Sequence, residues 1–165
     1  MTKSGPDPDF PPTPDGGRPD LGVRPQLPAE GRLAYFDHDA DTGVIGRGPT
    51  LAEAFVQAAE ATFALMCDTD AVQPIERIDV EFTEADPELA LVTWLNLLLA
   101  HANARGLALG RFALVQAGDR WRGSARGERW HPGLERGTQV KGATLTALKV
   151  ARDGDGWEAR CVVDL

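Results

Sequence analysis

The chain has 165 residues, 42% of them apolar and 25% charged, and Asp plus Glu outnumber Lys plus Arg by 25 to 17, a formal net charge of −8. That length supports one domain with its own core, and the apolar fraction excludes a wholly disordered chain. So acidic a chain offers no basic footprint for phosphates, which argues against stable direct binding of nucleic acid and suits a cation or a basic protein surface better.

Residues 1–30 hold eight of the twelve prolines and few apolar side chains (Phe10, Leu21, Val23 and Leu27). Such a stretch cannot bury enough surface to offset the entropy of ordering it. It reads as a disordered Pro-rich arm, with residues 31–165 as the folded domain. No basic opening followed by an apolar stretch marks a signal peptide, and no run approaches the ~20 apolar residues of a membrane helix. The richest run, residues 89–100, is interrupted by Thr93 and Asn96. Cys67 and Cys161 make neither a disulfide framework nor a CxxC knuckle. A reduced, cytoplasmic protein with no membrane partner is the expectation.

Residues 33–36 and 43–48 predict two short strands around the polar cluster 37–42. Thr50-Leu51-Ala52-Glu53 is a capping box that opens a helix, and Leu51, Phe55, Ala58, Thr62 and Met66 follow at helical spacing up to a stop near residues 67–70. Alternation over residues 75–82 predicts a half-buried strand, with Ile78, Val80 and Phe82 on one face. Asp86 then caps a second helix with Pro87 in its first turn, and Arg105-Gly106 ends it. The remainder is strand-like: residues 111–117 and 120–125 joined by Gly118-Asp119, a long run over 138–150, and 157–165 after the turn Asp153-Gly154-Asp155-Gly156. The expected fold is α+β, two helices packed on one face of a mainly antiparallel sheet.

The densest polar constellation is Asp37-His38-Asp39-Ala40-Asp41. On an extended segment its three carboxylates share one face, where they repel unless a cation or donors sit among them. A hard cation wants such oxygens, but the EF-hand pattern fails, because its sixth position is Thr42 and its twelfth Gly48. On local sequence alone a solvated turn with Asx-type caps is the preferred reading of the cluster. At the other end, Asp164 and the Leu165 α-carboxylate stand side by side as two anions. Lys141 lies within the run Gln139-Val140-Lys141-Gly142-Ala143, where an exposed strand lysine that blunts an edge is the plain reading. The chain carries no GxGxxG, P-loop, GxSxG or HExxH pattern, and neither cysteine has a base nearby in sequence.

Taken in order, these segments resemble the archease family from about Arg32 to Leu165. Tyr35-Phe36-Asp37-His38-Asp39-Ala40-Asp41 is similar to the family's aromatic-acid-His-Thr-Ala-Asp opening, and Gly48-Pro49-Thr50-Leu51-Ala52-Glu53-Ala54-Phe55 to its glycine and TLEEAF helix start. Leu95-Asn96-Leu97-Leu98-Leu99, Val140-Lys141-Gly142-Ala143-Thr144 and the closing Val163-Asp164-Leu165 fall where the family has its second helix, its VK motif and its terminal Asp-Leu or Asp-Ile. The resemblance implies a non-enzymatic accessory protein that activates an RtcB-type RNA ligase, promoting its guanylylation and multiple turnover in tRNA splicing or RNA repair. It also implies a divalent metal held by Asp41, Asp164 and Leu165, with Ca²⁺ expected first and Mg²⁺ or Mn²⁺ as alternatives. Lys141 falls on the lysine needed for activation, and Asp37, His38 and Asp39 on positions that support or join the ligands. Asp39 replaces the family's Thr, and Leu145 stands where Tyr or His is frequent. Two other functions fit the same residues: a metal-dependent phosphoesterase using Asp37, His38 and Asp41, or a metal-binding, chaperone-like adaptor.

Overall fold

The computed structural model describes residues 33–165. The arm expected over residues 1–30, and its boundary with the domain, lie outside the described residues. Eleven elements follow in chain order: strands β1 (Ala34–His38) and β2 (Asp41–Gly48), helix α1 (Leu51–Ala64), a 3-10 turn (Thr69–Ala71), β3 (Glu76–Thr83), helix α2 (Pro87–Arg105), β4 (Leu107–Ala117), β5 (Arg120–Arg129), β6 (Gly142–Ala143), β7 (Lys149–Asp153) and β8 (Gly156–Asp164).

The α+β class is as expected, with two helices and antiparallel strands. The strands divide between two sheets rather than forming one. The first sheet runs β1-β2-β8-β6 with β7 also paired to β8, and the second runs β3-β5-β4. Helix α1 packs on β2 and β8 of the first sheet and on β4 of the second. That position explains its buried run: Ala54, Phe55, Ala58, Ala59, Ala61, Thr62 and Phe63 are all inside, as a helix covered from more than one side requires. Helix α2 reaches β3 and β4 on one side and β6, β7 and β8 on the other.

Local signals set the helix ends. Thr50 Oγ1 accepts from the Glu53 amide at 3.2 Å and Asp86 Oδ1 from the Glu88 amide at 2.8 Å, each satisfying a first-turn donor that the helix leaves orphaned. Gly106 closes α2 at φ 64°, the left-handed conformation that glycine adopts without a Cβ penalty. Aromatic packing joins the layers. The Phe55 and Trp121 rings stack at 5.0 Å, Phe82 stacks on Trp121 at 5.9 Å, and Trp94 Nε1 donates to the Phe55 carbonyl at 3.0 Å. One cluster thus ties α1, α2, β3 and β5 together, each large side chain contributing ~1.5–3 kcal/mol of burial.

The long strand expected over residues 138–150 is replaced by two short pieces, β6 and β7. Between them the chain leaves the ladder: Ala147 takes φ 50° and Thr144 Oγ1 donates to the Val162 carbonyl at 2.9 Å. A run of β-branched and apolar residues satisfied the strand pattern, but the local bonds of Thr144 and Thr146 compete with regular pairing.

At Gly46, an added Cβ would lie 2.0 Å from the Ala54 carbonyl oxygen of α1. Gly46→Ala is therefore expected to force β2 and α1 apart and to lower stability by about 1–3 kcal/mol, read as an earlier urea midpoint at unchanged slope. An unaltered midpoint would contradict this packing.

Candidate functional site: an acidic corner at the chain terminus

Three segments meet at one end of the first sheet. The β1–β2 hairpin reverses at Asp39 and Ala40, because His38 pairs directly with Asp41. Asp39 sits at φ 50°, a conformation that Asp tolerates better than most residues. The expectation that Asp37, Asp39 and Asp41 share one extended face is thereby corrected. Facing partners on an antiparallel pair project to the same side. His38 and Asp41 therefore share one face, and Asp37 joins Thr42 on the other. Asp37 and Asp39 are exposed, while His38 and Asp41 are partly buried. His38 Nδ1 lies 3.9 Å from Asp39 Oδ2, outside hydrogen-bond range. The reversal divides the set Asp37, His38 and Asp41 that a phosphoesterase would need.

Strand β8 brings the terminus to this hairpin. Its register on β2 ends with Thr42 paired to Val163, next to Asp41 on one strand and Asp164 on the other. The Leu165 amide donates to Asp41 Oδ1 at 3.2 Å across 124 positions of sequence. On the other side of β8, Gly142 pairs with Asp164, and the Lys141 amide donates to the Asp164 carbonyl at 2.8 Å. Asp41, Asp164, Leu165 and Lys141 thus occupy one corner, with Lys141 and Asp164 exposed.

Asn96, which the sequence presents as a polar interruption in the apolar run of α2, builds the third side. Its Oδ1 accepts from the Ala143 amide at 2.8 Å and its Nδ2 donates to the Ala143 carbonyl at 3.2 Å. The side-chain amide stands in for a neighbouring strand and holds β6 against β8. The available signal was an amide between Leu95 and Leu97, where an apolar residue would have packed without it.

Asp41 and Asp164 each bring a carboxylate to the strands that meet at this corner. Such groups are what a hard divalent cation prefers. Among the described residues no three His, Cys, Asp or Glu side chains gather as a ligand set. His131 and Glu128 have structural partners. His131 Nδ1 accepts from the Gly133 amide at 3.0 Å, which leaves Nε2 to donate to Glu128 Oε1 at 2.6 Å. The other carboxylate oxygen of Glu128 takes the Gln73 amide. This pair braces the loop after β5.

Both cysteines are buried and free. Burial pushes the Cys161 thiol up to about 12 and raises that of Cys67, where Asp68 adds to the effect. The thiolate is the nucleophile, so neither side chain suits covalent catalysis near neutral pH.

An α+β domain with an acidic corner closed by its own terminal strand is the class of protein defined by these features. The model of the Archease protein family matches residues 34–165, and the chain belongs to that family. Its relatives include the archease of Sulfolobus acidocaldarius, 33% identical over 137 residues that cover 81% of this chain and 99% of the relative. The archease of Thermococcus kodakarensis is 35% identical over 137 residues, 79% of this chain and 96% of that one. The solution structure of Methanobacterium thermoautotrophicum protein 1598 superposes with a TM-score of 0.68 at 30% identity, covering 81% of this chain and 99% of the other. A Thermotoga maritima archease, described as a possible chaperone, shares the fold at a TM-score of 0.56 and 21% identity over 79% of this chain and 94% of its own. Among the described residues no helix is long and apolar enough to cross a membrane.

Two outcomes test this geometry. Asn96→Ala removes both bonds to Ala143 and is expected to cost about 1–3 kcal/mol, with faster hydrogen exchange at the Ala143 amide. Thiol alkylation of the folded protein at pH 8 should run at least tenfold slower than in urea, since both thiols stay protonated there; equal rates would place the cysteines at the surface.

Proposed function

We propose that this chain is a cytoplasmic accessory protein that activates an RtcB-type RNA ligase, promoting its guanylylation and multiple turnover in tRNA splicing or RNA repair. Membership of the archease family supports the role. The observation that carries the site is the hydrogen bond from the Leu165 amide to Asp41, which sets an internal carboxylate beside the chain's own terminus. Like charges that approach one another repel unless a cation sits among them. Asp41, Asp164 and the Leu165 carboxylate would hold a divalent cation, Ca²⁺ in the first instance and Mg²⁺ or Mn²⁺ otherwise. When bound, the ion supplies neutralising charge and ties the terminus to the hairpin.

The chain's own residues do the rest. Asp41 orients the last residue through its amide. Asn96 holds β6 on β8, so that the exposed Lys141 ammonium is presented at a defined place beside the acidic corner. A lysine there is a compact point charge suited to a carboxylate or phosphate of the ligase. Asp39, where relatives are expected to carry Thr, adds a carboxylate at the hairpin tip, and Asp37 and His38 flank it. The protein acts on the ligase and turns over no substrate of its own.

The test pairs the chain with its ligase and GTP, following ligase guanylylation and turnover. Wild type should accelerate both. Asp41→Ala, Asp164→Ala and Lys141→Ala should each reduce stimulation at least tenfold. Calorimetry should show weaker Ca²⁺ binding for the two Asp variants and none of that loss for Lys141→Ala. Adding one glycine after Leu165 moves the α-carboxylate while leaving the Leu165 amide in place. Ion affinity should fall with it, and an unchanged affinity removes the terminus from the ligand set. No stimulation by wild type would sink the activator role.

A further inference from the structure

A pocket of about 870 Å³ opens between α2 and the segment leading from β5 to β6. The apolar side chains of Phe63, Met66, Leu99, Leu109 and Val140 are among its lining. The segment over it is held at three points. The Gly137 and Thr138 amides donate to the Met66 and Leu65 carbonyls at 2.7 and 2.8 Å, and the Lys141 amide to the Asp164 carbonyl at 2.8 Å. The pocket is therefore a feature of fixed backbone. Its size lies within the ~300–1,000 Å³ typical of binding sites.

Its charge runs against that of the whole chain. The formal net charge is −8, yet among the described residues lining the pocket none is Asp or Glu, and two are the cations Arg136 and Lys141. Both are exposed. The Arg136 guanidinium lies 4.2 Å from the centroid of the Trp130 ring, a contact that steadies a long side chain. Lys141 belongs to the acidic corner as well, so corner and pocket form one continuous surface.

We infer that this pocket is the docking groove for the partner ligase, and that it takes an acidic, extended segment of that protein carrying one apolar side chain. The apolar side chain packs against Met66 and Leu109, and the acidic groups meet Arg136 and Lys141. An acidic chain with a cationic groove gains orientation from such complementarity, since carboxylates elsewhere on its surface repel the same segment. The inference rests on the proposed ligase partnership and deepens it: docking affinity resides in the groove, and activation in the corner.

The experiment titrates the full-length protein against the ligase and measures Kd and, separately, guanylylation at saturating concentration. Arg136→Glu reverses one rim charge. Ala100→Trp, at an exposed helix position on the rim, fills the groove without altering charge. Thermal melts confirm that both fold. Each variant should raise Kd tenfold or more and retain stimulation close to wild type once saturated, whereas Asp41→Ala should lose stimulation at saturation. Wild-type affinity in both groove variants would overturn the groove and leave the activator role standing. Tighter binding by Arg136→Glu would overturn it in favour of an acidic segment of this same chain competing for the groove. A wild-type protein that neither binds nor stimulates the ligase would overturn both.

Discussion

Strand β8 is the constraint on which the corner depends. It pairs with β2 along one edge and with β7 and then β6 along the other, so the last residues of the chain lie inside a sheet. Chain ends usually fray because too few contacts offset their entropy. Here Ala159, Cys161, Val162 and Val163 are buried and the ladder continues to Asp164. Pairing on both edges fixes the backbone of these last residues, so that the Leu165 amide meets Asp41 at a definite place.

The same strand explains why the corner gathers charges without a local motif. Asp41 starts β2, Asp164 ends β8 and Lys141 precedes β6, so each comes from a different stretch of the chain. Antiparallel registers bring the start of one strand beside the end of its neighbour, and this converts three sequence positions into one surface. Asn96 then fixes the third segment from the helix side. The division of labour proposed for the surface follows from this layout. The acidic corner lies at the sheet's end, the cationic groove runs beside it under α2, and Lys141 belongs to both.

Part of this was legible in the residues alone. Thr50 and Asp86 cap the helices that their side chains announced, and Gly106 ends α2, because capping is decided within four residues. Asp41, Asp164 and Lys141 were grouped as one set through the resemblance to the archease family, and the backbone pairing of β2, β6 and β8 brings their segments to one corner. The hairpin at Asp39 was hidden: alternation over residues 37–41 fits an extended segment as well as two strands meeting at a turn, and the cross-strand pair His38 with Asp41 decides between them. The segment 138–150 misled for a similar reason. Its β-forming residues fit a strand, but Ala147 and the threonine bonds to Val162 divert it into a loop.

The sequence by itself determined the α+β class, both helix starts, the end of α2 and the acidic composition, since these depend on periodicity, caps and composition, whereas α1 stops at Ala64, short of the end near residues 67–70 that its apolar spacing predicted. Only the tertiary structure decided that the strands separate into two sheets around the helices, that an amide in α2 holds β6 in place, and that a carboxylate near the start of the domain meets the final amide. Those are contacts between residues far apart in the chain, and no local pattern encodes which distant partner will satisfy a given hydrogen bond or cover a given apolar face.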